Sequence, residues 1–219
     1  MSAMDELRKE SGRMNVEFVG QSVKYVGGYG GAESVESAAR VCTQTNGVGK
    51  AIEFVKGLLR RGHMSPLEFG YADMLIECDR GIQQELTRHR HFSFNVESTR
   101  YCDYRKKPLR FVTKPPKGMD VPREAEMLLE ELCSDAAGVY EAMLERGVPR
   151  DYARKALPLC TASKMRMAGN LRTWLEMLPK RLSPAAHAEA REIAGMMLGR
   201  LVRNFAGIFD GMRDGLDER

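Results

Sequence analysis

Residues 70–78 read GYADMLIEC, and this stretch decides the fold class. Small or apolar side chains alternate along it with polar or larger ones, which is the period of a half-buried β-strand. The predicted inward-facing residues are Gly70, Ala72, Met74, Ile76 and Cys78. A short helix is expected directly after the strand, from Asp79 or Gly81 through Thr87.

Upstream of this strand, residues 15–26 carry valines and aromatic side chains throughout and predict extended backbone. Glycines occupy positions 27, 28, 30 and 31, and we expect them to end the extended segment in a flexible turn. They do not form a dinucleotide-binding fingerprint, because Glu33 stands where the third glycine would be needed.

Apolar residues at helical spacing predict several amphipathic helices. The longest covers 123–146, and its predicted inner stripe comprises Ala125, Leu128, Leu132, Ala136, Val139 and Met143. The last predicted helix covers 184–209, with Ile193, Met197, Leu201 and Phe205 at steps of four. Shorter helices are expected at 33–41, at 50–61 with Ile52, Val55, Leu58 and Leu59 on one face, after a Ser65 cap followed by Pro66, at 149–157 and at 170–178.

Two further strands are expected, at 109–113 within a lysine- and proline-rich stretch and at 159–167. Because strands and helices do not alternate regularly, the pattern favours an α+β fold over a doubly wound sheet. We expect a small, mainly antiparallel sheet flanked by long helices. A length of 219 residues suits a single compact domain over 1–219 with a helical half, in which 105–122 forms a mobile loop.

Composition limits the classes of partner. The formal net charge is +4, from 34 basic and 30 acidic residues, which does not indicate a nucleic-acid binder. No run of about 18 apolar residues predicts a membrane span, and residues 1–13 lack the apolar core of a signal peptide. Five scattered cysteines without a Cys-x-x-Cys pair predict reduced thiols and a cytoplasmic protein.

Residues 88–101 read RHRHFSFNVESTRY and carry the strongest functional signal. Arginine binds phosphate or carboxylate oxygens in a planar, two-pronged manner. Three arginines within fourteen positions are costly to hold together unless anions bind there, so the stretch predicts an anion site. The histidines at 89 and 91 lack the spacing and partner residues of a zinc site, and we expect no metal.

Four sequence blocks appear in order along the chain: HMSPLE at 63–68, RHR at 88–90 with Ser98, Arg100 and Tyr101, LPL at 157–159 and GNLR at 169–172. Together they resemble the flavin-dependent thymidylate synthases, over most of residues 38–195. The resemblance implies that dUMP is converted to dTMP with a one-carbon unit from methylenetetrahydrofolate. It also implies reduction by NADPH through FAD, and a homotetramer whose active sites are shared between subunits.

The resemblance also implies roles for individual residues. Positions that match the family's FAD-binding residues are Ser65, Glu68, Arg88, His89, Arg90, His91, Asn170, Arg172, Glu176 and His187. Positions that match dUMP-binding residues are Glu85, Arg88, Glu97, Ser98, Thr99, Arg100, Arg154 and Arg181. Arg181 matches the arginine beside the uracil ring, where a fixed cation would polarise the pyrimidine and act catalytically.

The chain departs from the family pattern at several of these positions. Glu85 stands where glutamine is common, and Glu176 stands where asparagine often contacts flavin. At Val96 the nucleotide loop differs from many members, and Pro179 is expected to weaken the helix just before Arg181.

Two other functions remain open on the sequence. The basic stretch could bind RNA, with Phe92, Phe94 and Tyr101 as stacking platforms, and would then show steep salt dependence. Alternatively, the departures at Glu85 and Glu176 would fit a family member that binds FAD without turnover.

Overall fold

The computed structural model describes residues 14–47 and 49–212, so the predicted lack of a signal peptide in residues 1–13 falls outside the described residues. The fold is α+β with a small, mainly antiparallel sheet, which confirms the predicted class. No helix within the described residues is long and apolar enough to cross a membrane.

Two groups of hydrogen-bonded strands are present. The larger sheet has the order β2-β3-β6-β4, and a separate parallel pair joins β1 to β5 with Val16 opposite Leu109. The strands are β1 Val16–Val19, β2 Ser22–Tyr29, β3 Tyr71–Asp79, β4 Ser93–Val96, β5 Leu109–Val112 and β6 Ala162–Asn170.

The helices follow the predicted positions closely. They are α1 Ala32–Val41, α2 Ala51–Arg60, α3 Arg80–Leu86, α4 Arg123–Glu145, α5 Arg150–Ala153, α6 Leu171–Leu182 and α7 Ala188–Asn204, with 3₁₀ helices at Ser65–Phe69 and Arg154–Ala156. The strand prediction at 70–78 is confirmed, because alternate residues of β3 from Ala72 to Cys78 are fully buried. The step-of-four stripe of α7 is likewise buried, from Ile193 to Leu201.

The chain divides into two compact units. The first contains the chain up to Gln21, Glu77–Leu86 and Val96–Met165, and the second contains Ser22–Ile76, Thr87–Asn95 and the chain from Arg166 onward. The single-domain organisation of 1–219 stays a prediction. The mobility of 105–122 outside strand β5 also stays a prediction.

The first unit has its own apolar core around helix α4. Leu109 and Phe111 of β5 are fully buried there, and Tyr104 meets Tyr140 of α4 edge-on with ring centroids 6.2 Å apart. In the second unit, α6 and α7 pack together and α7 lies against β2. Trp174 of α6 is fully buried, and its indole nitrogen donates to the carbonyls of Gly169 (3.1 Å) and Ala72 (3.3 Å).

The predicted inner stripe of α4 is wrong. Leu128 and Leu132 are 68% and 57% exposed, whereas the buried face runs through Cys133, Ala137 and Tyr140. The helix carries two adjacent apolar stripes, and periodicity alone does not distinguish which of them meets the core.

The predicted flexible turn at 27–31 is also wrong in part, because β2 continues through Gly27, Gly28 and Tyr29. A Cβ on Gly28 would lie 2.4 Å from the carbonyl oxygen of Tyr71, so the glycine permits a close approach to β3. The turn begins only at Gly30, whose φ is +73°.

Two helix boundaries differ from expectation. Helix α6 continues past Pro179 to Leu182, because the missing amide removes only one hydrogen bond in the last turn. Ser65 does not cap its helix: the 3₁₀ helix begins at Ser65 itself, Met64 occupies the N-cap position, and the cap makes no side-chain hydrogen bond.

Candidate functional site

A turn between α3 and β4 carries the basic run Arg88 to His91. It is closed by a hydrogen bond from the amide of Phe92 to the carbonyl of His89 (3.2 Å). Phe92 is only 7% exposed and meets Trp174 edge-on at 4.6 Å between ring centroids. Gly169 makes this contact possible, since a Cβ there would lie 2.7 Å from the Phe92 ring.

The burial of Phe92 bears on the RNA-binding alternative. A base can stack only on an accessible ring face, and Phe92 has its ring against Trp174. Of the three proposed platforms, Tyr101 is 76% exposed and Phe94 is half-buried. Phe92 therefore serves the fold of the second unit.

The same turn makes a polar contact with the end of α6. Nε of Arg181 donates a hydrogen bond to Nε2 of His89 over 2.9 Å. Burial, together with the positive charges of Arg181 and Lys180, lowers the pKa of His89 to about 4. His89 is therefore a neutral imidazole at physiological pH.

Arg172, in the first turn of α6, lies between two carboxylates. Its Nη1 donates to Glu68 of the 3₁₀ helix and its Nε to Glu176 one turn along α6, each over 2.7 Å. These bonds raise the pKa of the Arg172 guanidinium, with Glu176 as the largest contributor. Three residues predicted to bind FAD thus contact one another directly.

Two other predicted FAD-binding residues lie at helix N-termini. Oδ1 of Asn170 caps α6 by accepting bonds from the amide and hydroxyl of Thr173, both at 2.8 Å. His187 occupies the N-cap position of α7, with Nε2 3.8 Å from a carboxylate oxygen of Glu189.

The remaining residues of the predicted FAD set are exposed side chains of the second unit. They are Ser65, Arg88, Arg90 and His91. The whole predicted FAD set therefore lies in the second unit, although the structure does not test whether these residues bind FAD.

In the first unit, a turn after β4 carries half of the predicted dUMP set, from Glu97 to Arg100. The carbonyl of Ser98 accepts from the amides of Tyr101 (3.1 Å) and Cys102 (2.9 Å). Thr99 is nearly buried, and its hydroxyl accepts from Nη1 of Arg154 over 3.3 Å. Arg100 is exposed, with its guanidinium carbon 5.7 Å from the centroid of the Tyr101 ring.

Glu97, a further member of this set, already has several protein partners. Its carboxylate accepts from the hydroxyl of Tyr104 (3.0 Å) and the amide of Lys164 (3.3 Å), and it lies 3.6 Å from Nζ of Lys107. Burial, and then Glu97 itself, raises the pKa of Tyr104 well above its ordinary value of 10. Glu97 therefore stabilises this loop whether or not it also meets a nucleotide.

Glu97 borders a cleft of about 230 Å³ in the first unit. The cleft also contains Arg110, whose Nε lies 3.1 Å from Glu17 and whose Nη1 pairs with Glu77. Its lining includes no other residue of the predicted dUMP set.

Three further predicted dUMP-binding residues are not part of this turn. Glu85 is half-buried on α3 in the first unit, whereas Arg88 belongs to the second. Arg181 is also in the second unit, bonded to His89. Among the described residues, no three His, Cys, Asp or Glu side chains converge as they would around a metal ion.

Sequence reasoning did not single out Trp174 or Phe92 as residues that position the site. A usable signal was present, because Trp174 is the only tryptophan and lies two positions after the GNLR block. A large aromatic side chain is commonly buried, and a glycine such as Gly169 permits another element to approach closely.

Comparison with known proteins identifies the family. Residues 24–205 match the family model described as thymidylate synthase complementing protein. A probable flavin-dependent thymidylate synthase of Mycobacterium phage L5 is 33% identical over 195 residues, covering 81% of this chain and 79% of the relative. The chain belongs to the flavin-dependent thymidylate synthase family.

Cellular relatives are similar at the same level. The flavin-dependent thymidylate synthase of Mycobacteroides abscessus is 32% identical over 200 residues, covering 82% of this chain and 79% of the relative. The enzyme of Pyrobaculum aerophilum is 35% identical over 153 residues, covering 69% of this chain and 58% of the relative.

The residues present fit the FAD that the family name implies. FAD carries a pyrophosphate, which exposed guanidinium groups such as those of Arg88 and Arg90 can bind through charge-assisted hydrogen bonds. The helix N-terminus capped by Asn170 adds a donor near Arg172 on the same unit. The donor set is thus that of an anionic dinucleotide site.

Proposed function

We propose that this flavin-dependent thymidylate synthase converts dUMP to dTMP, with methylenetetrahydrofolate as carbon donor and NADPH as reductant through FAD. The observation that carries the proposal is the attachment of the Arg88–His91 turn to α6. Phe92 meets Trp174 and His89 meets Arg181, so the basic run and both arginines of α6 belong to one rigid element. Such fixed positioning is what a site for a charged cofactor requires.

On this proposal, the second unit holds FAD. Bound FAD supplies hydride taken from NADPH. Arg88, Arg90 and Arg172 bind its phosphates, while Asn170 donates from its amide nitrogen. Positive side chains near a flavin also favour its anionic reduced form.

The first unit binds the nucleotide phosphate and sugar. Arg100 and Arg154 supply charge-assisted hydrogen bonds, and Ser98 and Thr99 supply hydroxyl groups beside them. The contact between Arg154 and Thr99 supports this grouping, since it places a cation next to the turn that carries Arg100. Glu97 belongs to the same loop, and Glu85, Arg88 and Arg181 complete the proposed dUMP-binding set.

Arg181 is the proposed catalytic residue. A fixed guanidinium at a pyrimidine oxygen or at N3 withdraws electron density from the ring, which makes C6 a better hydride acceptor and helps C5 to attack carbon. The mechanism needs no cysteine nucleophile. Ser98 is assigned to binding, since a serine is a poor nucleophile without an adjacent base to take its proton. Its hydroxyl accepts a hydrogen bond from the Arg100 amide at 3.3 Å.

The proposed assembly is a homotetramer whose active sites are shared between subunits, in the cytoplasm. Support comes from the outer stripe of α4, where Met127, Leu128 and Leu132 are all more than half exposed. Exposed apolar stripes of this kind mark protein interfaces. Sedimentation velocity of the purified protein measures the assembly directly.

A spectrum and a product assay test the reaction. Purified protein loaded with FAD should absorb as an oxidised flavin, be bleached by NADPH with dUMP present, and form dTMP once methylenetetrahydrofolate is added. A flavin that bleaches without dTMP formation would support the non-catalytic family member. Absence of flavin binding would reject the proposal.

A further inference from the structure

The contact between His89 and Arg181 has a defined direction. A guanidinium nitrogen only donates, because arginine stays protonated in proteins. Nε2 of His89, 2.9 Å away, must therefore present its lone pair. The proton of a neutral imidazole then lies on Nδ1.

The surroundings keep this arrangement in place. Protonation of Nε2 would replace the hydrogen bond with repulsion between two cations, and Lys180 adds a second positive charge nearby. The turn cannot easily withdraw from α6, because Phe92 is held against Trp174. Trp174 and Arg181 are seven residues apart, about two helical turns, and so lie on the same face of α6.

We propose that His89 is a positioning residue that fixes the guanidinium plane of Arg181 by accepting a hydrogen bond from its Nε. The inference rests on the proposed function, because it assigns to Arg181 the polarisation of the pyrimidine. The hydrogen bond to Nε fixes the orientation of the Arg181 guanidinium group. A guanidinium that is already oriented need not reorganise during the reaction.

The proposal limits the hydrogen bonds that His89 can form with FAD. With Nε2 bonded to Arg181, the imidazole has only the Nδ1–H left, and it can donate but not accept. Any flavin contact of His89 must then be to an acceptor such as a ring carbonyl or a phosphate oxygen.

The first test needs no enzymatic activity. Nitrogen-15 NMR of histidine-labelled, FAD-loaded protein at pH 7, assigned with His89→Gln, should show His89 protonated at Nδ1 and unprotonated at Nε2. Arg181→Ala should abolish this preference. Lys180→Gln is the matched control, since it removes a neighbouring charge and leaves the hydrogen bond, so the tautomer should persist. A wild-type His89 protonated at Nε2, or a tautomer unchanged in Arg181→Ala, would overturn the proposal.

The second test uses turnover. His89→Ala, measured at saturating FAD, should lower kcat about tenfold or more while the dUMP dissociation constant changes less than about threefold. His89→Gln places a carbonyl oxygen near the Nε2 position and should restore most of kcat. The proposal is contradicted if His89→Gln has no higher kcat than His89→Ala. It is also contradicted if FAD release fully explains the loss of kcat. If wild-type protein forms no dTMP, the proposed function fails, whereas the NMR result still decides whether His89 orients Arg181.

Discussion

The two units hold their predicted ligand residues in different ways. In the second unit, Arg172 and Arg181 lie on one regular helix, and each is bonded to another predicted site residue. In the first unit, Ser98, Thr99 and Arg100 lie in a turn that is held mainly by backbone hydrogen bonds. The FAD side is thus fixed by packing, while the dUMP side depends on a turn.

Because of this difference, we expect the two groups of residues to respond differently to mutation. Residues on a packed helix lose function when the packing behind them is damaged, even if they remain in place. Turn residues lose function mainly when their own charge is removed. We therefore expect different outcomes when the packing is damaged and when a charge is removed.

Trp174→Ala should have the largest effect, because it empties the space behind the Arg88–His91 turn. Removal of a buried tryptophan costs about 3–5 kcal/mol of unfolding free energy. Denaturant unfolding measures the loss, and FAD retention should fall with it. Tyr152→Ala, at a 55% exposed aromatic of the first unit, is the control and should change stability by less than about 0.5 kcal/mol.

Arg181→Ala should lower kcat by about 10²–10³ if the guanidinium polarises the pyrimidine. Stability should change little, since the side chain is only half-buried at the end of α6. Steady-state kinetics and a thermal melt on the same sample separate the two effects. Full activity in this variant would remove the proposed electrophile.

Arg100→Ala should weaken dUMP binding about 10- to 100-fold, because it removes a charge-assisted phosphate contact. FAD retention should be unchanged. Arg105→Ala provides the control, as Arg105 is a nearby exposed arginine that pairs with Asp103 at 2.9 Å. Equal dUMP affinity in Arg100→Ala and wild type would contradict the placement of the phosphate.

The pH dependence of stability tests whether His89 is held neutral. The folded-state pKa of His89 is lowered to about 4 from 6.5, so the unfolded chain binds this proton more readily between those values. Unfolding free energy should therefore fall as pH drops from 6.5 towards 4. His89→Gln should lack this component, and identical curves for the two proteins would show that the histidine is not held neutral.

Much of the fold could be predicted from periodicity, and the failures share a cause. The strand at 70–78 and the stripe of α7 were predicted because one face alone is apolar. The prediction of the buried face of α4 was wrong because two adjacent stripes of the helix are apolar. Tertiary packing determines that Cys133 is buried and Leu132 is exposed. The continuation of β2 through Gly28 was not predicted. This glycine permits β2 to approach Tyr71 of β3 closely, and the local sequence does not reveal that contact.

The candidate site shows the same limit. The family resemblance indicated which residues match the family pattern, including His89 and Arg181. Spacing could not predict that His89 and Arg181, 92 positions apart, form a hydrogen bond. It also could not predict that Trp174 packs against Phe92, next to the turn that carries His89. Such pairings depend on how β6 and α6 meet the turn after α3.

The most direct test of the proposed ligand assignment is a paired binding measurement on Arg172→Ala and Arg154→Ala. FAD affinity is measured by flavin fluorescence, and dUMP affinity by titration at saturating FAD. We predict that Arg172→Ala weakens FAD about tenfold or more with dUMP affinity nearly unchanged, and that Arg154→Ala does the reverse. Both variants weakening both ligands to the same extent would contradict the assignment of Arg172 to FAD and of Arg154 to dUMP.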